Sequence, residues 1–379
     1  MRTGRLKIAQ VAPLYERVPP RLYGGTERVV SFLTDELVRR GHDVTLFASG
    51  DSTTKAKLVA AVPSALRLAA ADDSAAAAAH AIQLGQVIER VHEFDVIHCH
   101  VDYPAFPVGR TTSTPVVHTL HGRLDLPHLR PVFAHFPDAH VVSISDAQRR
   151  PLSDLPVRWV ATVYHGLPLD RYPYAARGGE YLAFLGRISP EKRLDLAIAV
   201  ARRVGIPLRV AAKVDAADRA YFEREIRPLL HDPLVEFIGE IGDGDKGVFL
   251  GGAMALLFPI DWPEPFGLVM IEAMACGTPV IARPCGSVPE VMAPGRTGFV
   301  VDTVDEMVEA VKRIDVIDRA ECRRWVEQHF SVERMADRYE TVYRYVLASS
   351  RVALTCDGAN STRRARPRAS GVPVTSRFA

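Results

Sequence analysis

What most constrains this chain is an alternation of short apolar runs with amphipathic segments, which begins near the N-terminus, breaks once and begins again. The first set of runs is Leu6 to Ala12, Val44 to Ala48, Val96 to Cys99, Val116 to Leu120, Val141 to Ile144 and Trp159 to Val163. Runs this short and this apolar, with helices between them, predict a parallel sheet covered on both faces. The first intervening helix opens at Gly24-Gly25-Thr26-Glu27, carries Val29, Val30, Phe32, Leu33, Leu37 and Val38 on one stripe, and stops at Gly41. Periodicity then fails between Gly166 and Gly179, where Pro168, Pro173, Gly178 and Gly179 cluster as in an interdomain linker. It returns in Tyr181 to Leu185, Leu208 to Ala212, Val235 to Ile238, Ala255 to Phe258, Val280 to Ala282 and Phe299 to Val301. The expectation is an α/β chain of two doubly wound domains, 1–165 and 180–330, joined by a linker at 166–179. A last amphipathic helix at 331–350 carries Met335, Tyr339, Val342, Val346 and Leu347, and 351–379 reads as a disordered, Arg-rich tail with little to bury.

Composition agrees with two domains, since 379 residues exceed what one core organises, and 47% apolar with 24% charged residues is ordinary globular usage. Leu68 to Ile82 is interrupted by Asp72 and Asp73, and Gly251 to Ile260 is too short to cross a bilayer, so no transmembrane segment is expected. Arg2, Arg5 and Lys7 ahead of Ile8 to Leu14 imitate a secretion signal, but Pro13 and Glu16 cut it short. Five scattered cysteines without a C-x-x-C pair fit a reducing cytoplasm. Arg363, Arg364, Arg366, Arg368 and Arg377 follow the last acid, and removing their charge from the net +2 leaves −3 on residues 1–357. The body is therefore not a nucleic-acid binder, and the tail leaves room only for weak peripheral contact with an anionic membrane.

Two segments carry chemistry. In Phe184-Leu185-Gly186-Arg187-Ile188-Ser189-Pro190-Glu191-Lys192-Arg193 a buried strand ends, and Ser189 with Pro190 is read as N-cap and N1 of a helix. Lys192 and Arg193 then fall in a first helical turn, where the macrodipole disfavours cations, so the segment calls for an anion; local pairing with Glu191 is the plain alternative. The second segment, Asp261 to Ala275, follows the strand Ala255 to Phe258 with a Pro-rich loop bearing Glu264, and Gly267 then opens a helix whose free amides can hold a phosphate. Glu272 lies in that otherwise apolar helix and needs partners, whether a ligand's hydroxyls, neighbouring backbone or an arginine such as Arg283.

Arg187 with Lys192, and Glu264 and Glu272 with seven residues between them, resemble the retaining glycosyltransferases of family 4, the glycosyl transferases group 1, which have the GT-B fold. Gly24-Gly25-Thr26-Glu27, Thr119-Leu120-His121-Gly122, Cys276-Gly277-Thr278-Pro279-Val280 and Gly286-Ser287-Val288-Pro289-Glu290 stand where that family has comparable segments, so the likeness covers most of 6–348. The resemblance implies two Rossmann-like domains, with the last helix packing back on the first. It implies that Arg187 and Lys192 neutralise a donor diphosphate, that Glu272 binds ribose hydroxyls, and that Glu264 faces the transferred sugar. Phe266, Gly267 and Leu268 would present backbone amides, Gly24 and Gly25 would let a helix end approach phosphate or acceptor, and His121 would stand beside the sugar. His121 is otherwise a polar strand-end residue among 13 histidines. Relatives commonly carry Asn-Gly where this chain has His165-Gly166.

The implied reaction moves a hexosyl group from a UDP- or GDP-linked sugar to a small-molecule, glycan or lipid acceptor. It retains configuration, uses no protein nucleophile and no cofactor, and the paired cations make a metal unnecessary. A dinucleotide dehydrogenase is disfavoured because G-x-G-x-x-G is absent after Ala12 and Leu185. A phosphorylase or sugar-nucleotide epimerase on the same fold is separable by whether a sugar acceptor is needed. The intact Arg187, Lys192, Glu264 and Glu272 argue against a silent sugar-nucleotide binder.

Overall fold

In the computed structural model, which describes residues 4–69 and 72–361, two parallel sheets stand in sequence. The first has the order β3-β2-β1-β4-β5-β6-β7, from β1 (Lys7–Val11), β2 (Asp43–Ser49), β3 (Lys57–Val62), β4 (Val96–Cys99), β5 (Val116–Thr119), β6 (His140–Ser143) and β7 (Trp159–Thr162). The second has the order β10-β9-β8-β11-β12-β13, from β8 (Leu182–Ile188), β9 (Leu208–Val214), β10 (Val235–Gly239), β11 (Ala255–Phe258), β12 (Val280–Ala282) and β13 (Gly298–Val300). The order turns back beside β1 in one sheet and beside β8 in the other, the switch points at which ligands meet such sheets. The sequence pattern locates every strand but β3. That strand is an edge, paired only with β2 and largely solvent-facing, so no buried run betrays it.

Helix α1 (Gly25–Arg39) buries the expected stripe. Helix α2 (Asp73–Glu89) was read only as a broken apolar stretch; the acids that break it start the helix, for the Asp72 carboxylate accepts from the Ala75 amide at 2.8 Å.

The chain crosses between the domains twice, and the crossings lie side by side. The Leu167 amide donates to the Phe330 carbonyl at 2.8 Å and the Val332 amide returns to the Leu167 carbonyl at 2.9 Å. Gly166 is required there, since a Cβ would stand 2.3 Å from the Ser331 carbonyl oxygen. The C-terminal helix (Val332–Ser361) then packs back on the first domain, where Arg40 binds Asp337 at 2.6 Å and the Glu333 carbonyl at 2.7 Å. This helix runs to Ser361, eleven residues past the expected end at 350. The remainder of the tail, 362–379, lies outside the described residues.

Gly166→Ala forces the paired crossings apart and should cost about 1–3 kcal/mol, the usual penalty of overpacking. A lowered thermal midpoint is the expected readout, and an unchanged one means the crossings adjust freely.

Candidate active site

The two domains face each other across a cleft of about 880 Å³, and Gly24, Gly25, His121, Arg187, Lys192, Glu264, Phe266, Gly267, Leu268 and Glu272 all line it. Two helices point their N-termini into it. Helix α1 starts at Gly25, and across the gap a helix starts at Leu268 (Leu268–Ala275); a Cβ on Gly25 would lie 3.6 Å from the Leu268 side chain. Gly267 caps the second helix in the left-handed region (φ 79°), and a side chain there would collide with Met270 at 2.7 Å. The first amides of both helices have no partner within the ladder, and both dipoles present positive ends to the same space.

Cations surround that space, each held by a carboxylate. Arg187 closes β8 as its last residue but one, two residues past the expected end of the apolar run at Leu185, directly beside Lys213 of β9 in the strand register. Adjacent like charges on neighbouring strands repel and are compensated by an anion. Arg187 gives one nitrogen to Glu191 at 2.7 Å and another to Asp218 at 3.6 Å, while its buried Nε is unpartnered. The local pairing considered from sequence is therefore real, yet it leaves donor capacity over.

Lys192 is not in the first turn of an α-helix. Pro190–Lys192 form a 3-10 turn, Arg193 is left-handed (φ 52°), and the helix begins only at Leu194. The cause is tertiary: the Glu191 carbonyl accepts from the Asp261 amide at 2.8 Å, and Arg193 reaches Asp195 and Asp261. The expectation from the macrodipole is thus corrected. Lys192 instead stands over the rings of Trp262 (4.7 Å) and Phe258 (5.5 Å) and pairs with the buried Glu264, which also accepts from Trp262 Nε1 at 2.9 Å. Gly286 (φ 60°) permits that loop, because a Cβ would lie 2.3 Å from the Glu264 backbone.

Glu272 uses one oxygen, Oε1, to accept from Tyr172 (3.0 Å) and Lys246 (2.8 Å); Arg283 pairs instead with Asp261 at 3.0 Å. No hydrogen bond engages Glu272 Oε2 among the described residues. Arg28 of α1 crosses the cleft to Asp243 at 2.7 Å, and although burial works against its charge, Glu272 and Asp243 hold its pKa above the ordinary value. Two more bridges close the domains: the Tyr23 amide to Glu240 (2.7 Å), and the amides of Asp146 and Ala147 to Glu290 (2.7 and 2.6 Å).

His121 ends a chain of hydrogen bonds through the first domain. Its Nε2 meets His100 Nδ1 at 2.9 Å, His100 Nε2 meets Gln10 Oε1 at 2.8 Å, and Gln10 Nε2 donates to Tyr343 of the C-terminal helix at 3.1 Å. Tyr343 in turn meets His98 Nδ1 at 2.8 Å, and His98 Nε2 meets Thr119 at 2.7 Å. Burial pushes the pKa of His121 down to about 3 and those of His98 and His100 well below 6.5, so each ring is neutral with one donor and one acceptor. With Gln10 Oε1 as acceptor, His100 carries its proton on Nε2 and His121 carries its own on Nε2. The remaining lone pair, His121 Nδ1, is buried and unpartnered. His165 stacks on His121 (5.3 Å, 17°) and packs on Phe266 (4.7 Å), so the departure at this position builds the wall of the site.

Residues 173–331 match the family model for glycosyl transferases group 1, and residues 23–171 match that for glycosyltransferase family 4. The chain belongs to the glycosyl transferases group 1. A glycogen synthase of Mycobacterium tuberculosis is 26% identical over 332 residues, covering 74% of this chain and 79% of its own. AviGT4, a glycosyltransferase of avilamycin A biosynthesis, superposes with a TM-score of 0.68 at 25% identity, covering 90% of this chain and 98% of its own. Anabaena HepE in complex with UDP and glucose superposes with a TM-score of 0.70 at 16% identity, covering 90% of this chain and all of its own. The fold is GT-B.

This glycosyltransferase site has members the sequence reading passed over. Arg28 sits in the first turn of α1, the place where a cation calls for an anion, and that argument applied to it better than to Lys192. His98 and His100 alternate on one face at the end of β4, a pairing visible as His-x-His. Lys246 and Tyr172 meet Glu272 from 26 and 100 residues away, which no local pattern reveals.

Acid should destabilise the protein. A histidine whose folded pKa lies below its unfolded value binds its proton only on unfolding, so its stability is intact above pH 6.5 and is lost as pH falls from there. His118 and His121, both near 3, should each lose about 2 kcal/mol by pH 5. His98, His100 and His165 act in the same direction. Burial raises Glu27 to about 7 and Asp102 to about 6, and these two recover stability over the same range, but the histidines outnumber them. The thermal midpoint should therefore fall steadily between pH 7 and 5; a flat profile contradicts neutral buried imidazoles.

Proposed function

We propose that the enzyme transfers a hexosyl group from a nucleoside-diphosphate sugar to a hydroxyl acceptor with retention of anomeric configuration. The observation that carries this reading is the meeting of two helix N-termini at a point flanked by Arg187, Lys192 and Lys213. Such a place is built for a group with several negative oxygens, and a diphosphate fits it. UDP in the HepE complex gives the same fold such an occupant.

Glu272, with Oε1 fixed by Tyr172 and Lys246, would turn Oε2 to the ribose hydroxyls. Glu264 would meet the hydroxyls of the transferred sugar, and the amides of Gly267 and Leu268 the phosphate. In the reaction the bond from the anomeric carbon to the phosphate oxygen breaks and the oxygen keeps the pair. The acceptor oxygen bonds to the same face of that carbon, and its proton passes to the departing phosphate. Positive charge grows on the sugar and negative charge on the phosphate, so Arg187 and Lys192 bind the transition state more tightly than the ground state. These cations supply the charge a metal would otherwise bring, and we assign no metal or cofactor. A retaining hydrolase would need a second carboxylate paired across the bond, and Glu264 is given no nucleophilic role. Among the described residues no helix is long and apolar enough to cross a membrane.

A panel of UDP- and GDP-sugars, read by thermal shift and slow hydrolysis, identifies the donor. With it, Arg187→Ala or Lys192→Ala should lower kcat/KM by about 10²- to 10³-fold, as losing one preorganised electrostatic donor does, with little loss of stability. Arg187→Lys should recover only part, because an ammonium lacks the planar two-pronged contact with phosphate oxygens. Full activity in both alanine variants, with folding verified, refutes the donor site.

The stereochemical course is a separate expectation. Anomeric proton couplings should report an α-linked product from an α-linked donor, and a β-linked product overturns retention.

A further inference from the structure

The walls of the cleft differ in sign. Its second-domain wall carries four cations, Arg187, Lys192, Lys213 and Lys246, against three acids, Glu240, Glu264 and Glu272. Its first-domain wall carries four acids, Glu16, Glu27, Asp73 and Asp102, and only two arginines. Both arginines are already engaged by the protein. Arg67 is tied to Glu16 at 3.0 Å. Arg28 is buried and spends its nitrogens on Asp243 and on the Leu22 and Gly24 carbonyls. His80 is occupied as well, since its Nε2 accepts from the Leu14 amide at 3.3 Å and its Nδ1 meets the Ala76 carbonyl at 2.8 Å.

The same wall offers apolar faces to solvent. Tyr15, Tyr23 and Tyr103 remain 45%, 40% and 38% exposed, and Tyr15 packs on the His80 ring at 5.3 Å. Pro104, Ala77, Ala81 and Leu84 continue that surface. Aromatic faces beside hydroxyl-accepting carboxylates suit a molecule with an apolar C–H face and a rim of hydroxyls. An added phosphate would bring two charges to a wall whose carboxyls already resist ionisation: burial raises both Glu27 and Asp102. On this wall the only arginines it would meet, Arg28 and Arg67, are already paired with carboxylates.

We propose that the acceptor is an uncharged carbohydrate whose ring lies against Tyr15 and Tyr103 with its hydroxyls on the acidic wall, and that this wall rejects phosphorylated sugars and polyols. The inference rests on the reading of the opposite wall as the donor's.

The test pairs each neutral probe with its phosphate: glucose with glucose 6-phosphate, maltose with maltose 1-phosphate, myo-inositol with myo-inositol 3-phosphate. Transfer from the donor found in the hydrolysis panel is followed for each, and acceptor-free hydrolysis is recorded in parallel. The neutral sugars should be used at least about tenfold better in kcat/KM, a discrimination of one ordinary charge contact. Tyr15→Ala and Tyr103→Ala should raise KM for the neutral sugar more than they lower kcat. Glu16→Gln, which releases Arg67, should narrow the gap between neutral and phosphorylated members. Preference for a phosphorylated member, or no transfer to any neutral sugar while acceptor-free hydrolysis proceeds, overturns the inference and leaves the donor assignment standing. Absence of any nucleotide-sugar binding or hydrolysis removes both.

Discussion

The structure turns on positive electrostatic potential gathered at one point between two domains. Two helix N-termini and five basic side chains, Arg28, Arg187, Lys192, Lys213 and Lys246, line that cleft, and such an arrangement is costly to hold without anions. The protein supplies them from its own chain: Glu264 for Lys192, Glu191 for Arg187, and Asp243 with Glu272 for Arg28 and Lys246. Buried pairs of this kind add little net stability, because desolvation consumes much of their attraction. Their worth lies in position. The carboxylates keep each cation extended into the cleft, so an entering diphosphate meets donors already ordered and the reaction need not spend binding energy on arranging them.

That point exists only if the domains are held at a fixed separation, and the paired crossings achieve this. Leu167 and Val332 are joined through backbone bonds, and Gly166 lets the strands of the crossing touch. Beyond the crossing, the C-terminal helix carries Tyr339 and Tyr343 into the first domain, where they are wholly buried against His98 and Gln10. One helix thus anchors the hinge at its start and sets the histidine chain further along. Because every ring in that chain is neutral, its protons have one consistent order, and the orientation of the Gln10 amide decides which nitrogen of His121 carries hydrogen. A residue at the cleft is oriented by a helix that never reaches it.

The sheets were legible because buried parallel strands write themselves as apolar runs, and β3 escaped because an exposed edge does not. Within the site, Arg187, Glu264 and Gly267 were legible since strand ends and helix starts are where such sheets put ligands. Lys192 was singled out for a wrong local reason. The Asp261 amide takes the Glu191 carbonyl and prevents the helix that the Ser-Pro signal announces, a tertiary bond overriding a local preference. The partners of Glu272 were illegible for a related cause: its helix shows a carboxylate among apolar residues, but Tyr172 and Lys246 arrive from the linker and from another helix. His165 was noticed as an oddity, yet only its stacking on His121 gives it a place.

The opposed signs of the two walls bear on how one cleft can hold two substrates. A donor rich in negative charge and an acceptor rich in hydroxyls would compete for a uniformly basic cleft, since carbohydrate hydroxyls and phosphate oxygens both seek donors. Acids on the first-domain wall remove that competition, because a carboxylate repels the diphosphate and accepts from a hydroxyl. The two walls meet where Arg28 reaches across to Asp243, so one of the bridges that close the domains lies on the seam between basic and acidic surface. On the proposed placement of the two substrates, closure and sorting would draw on the same few charges, with each domain presenting to its substrate the partner that the other substrate would refuse.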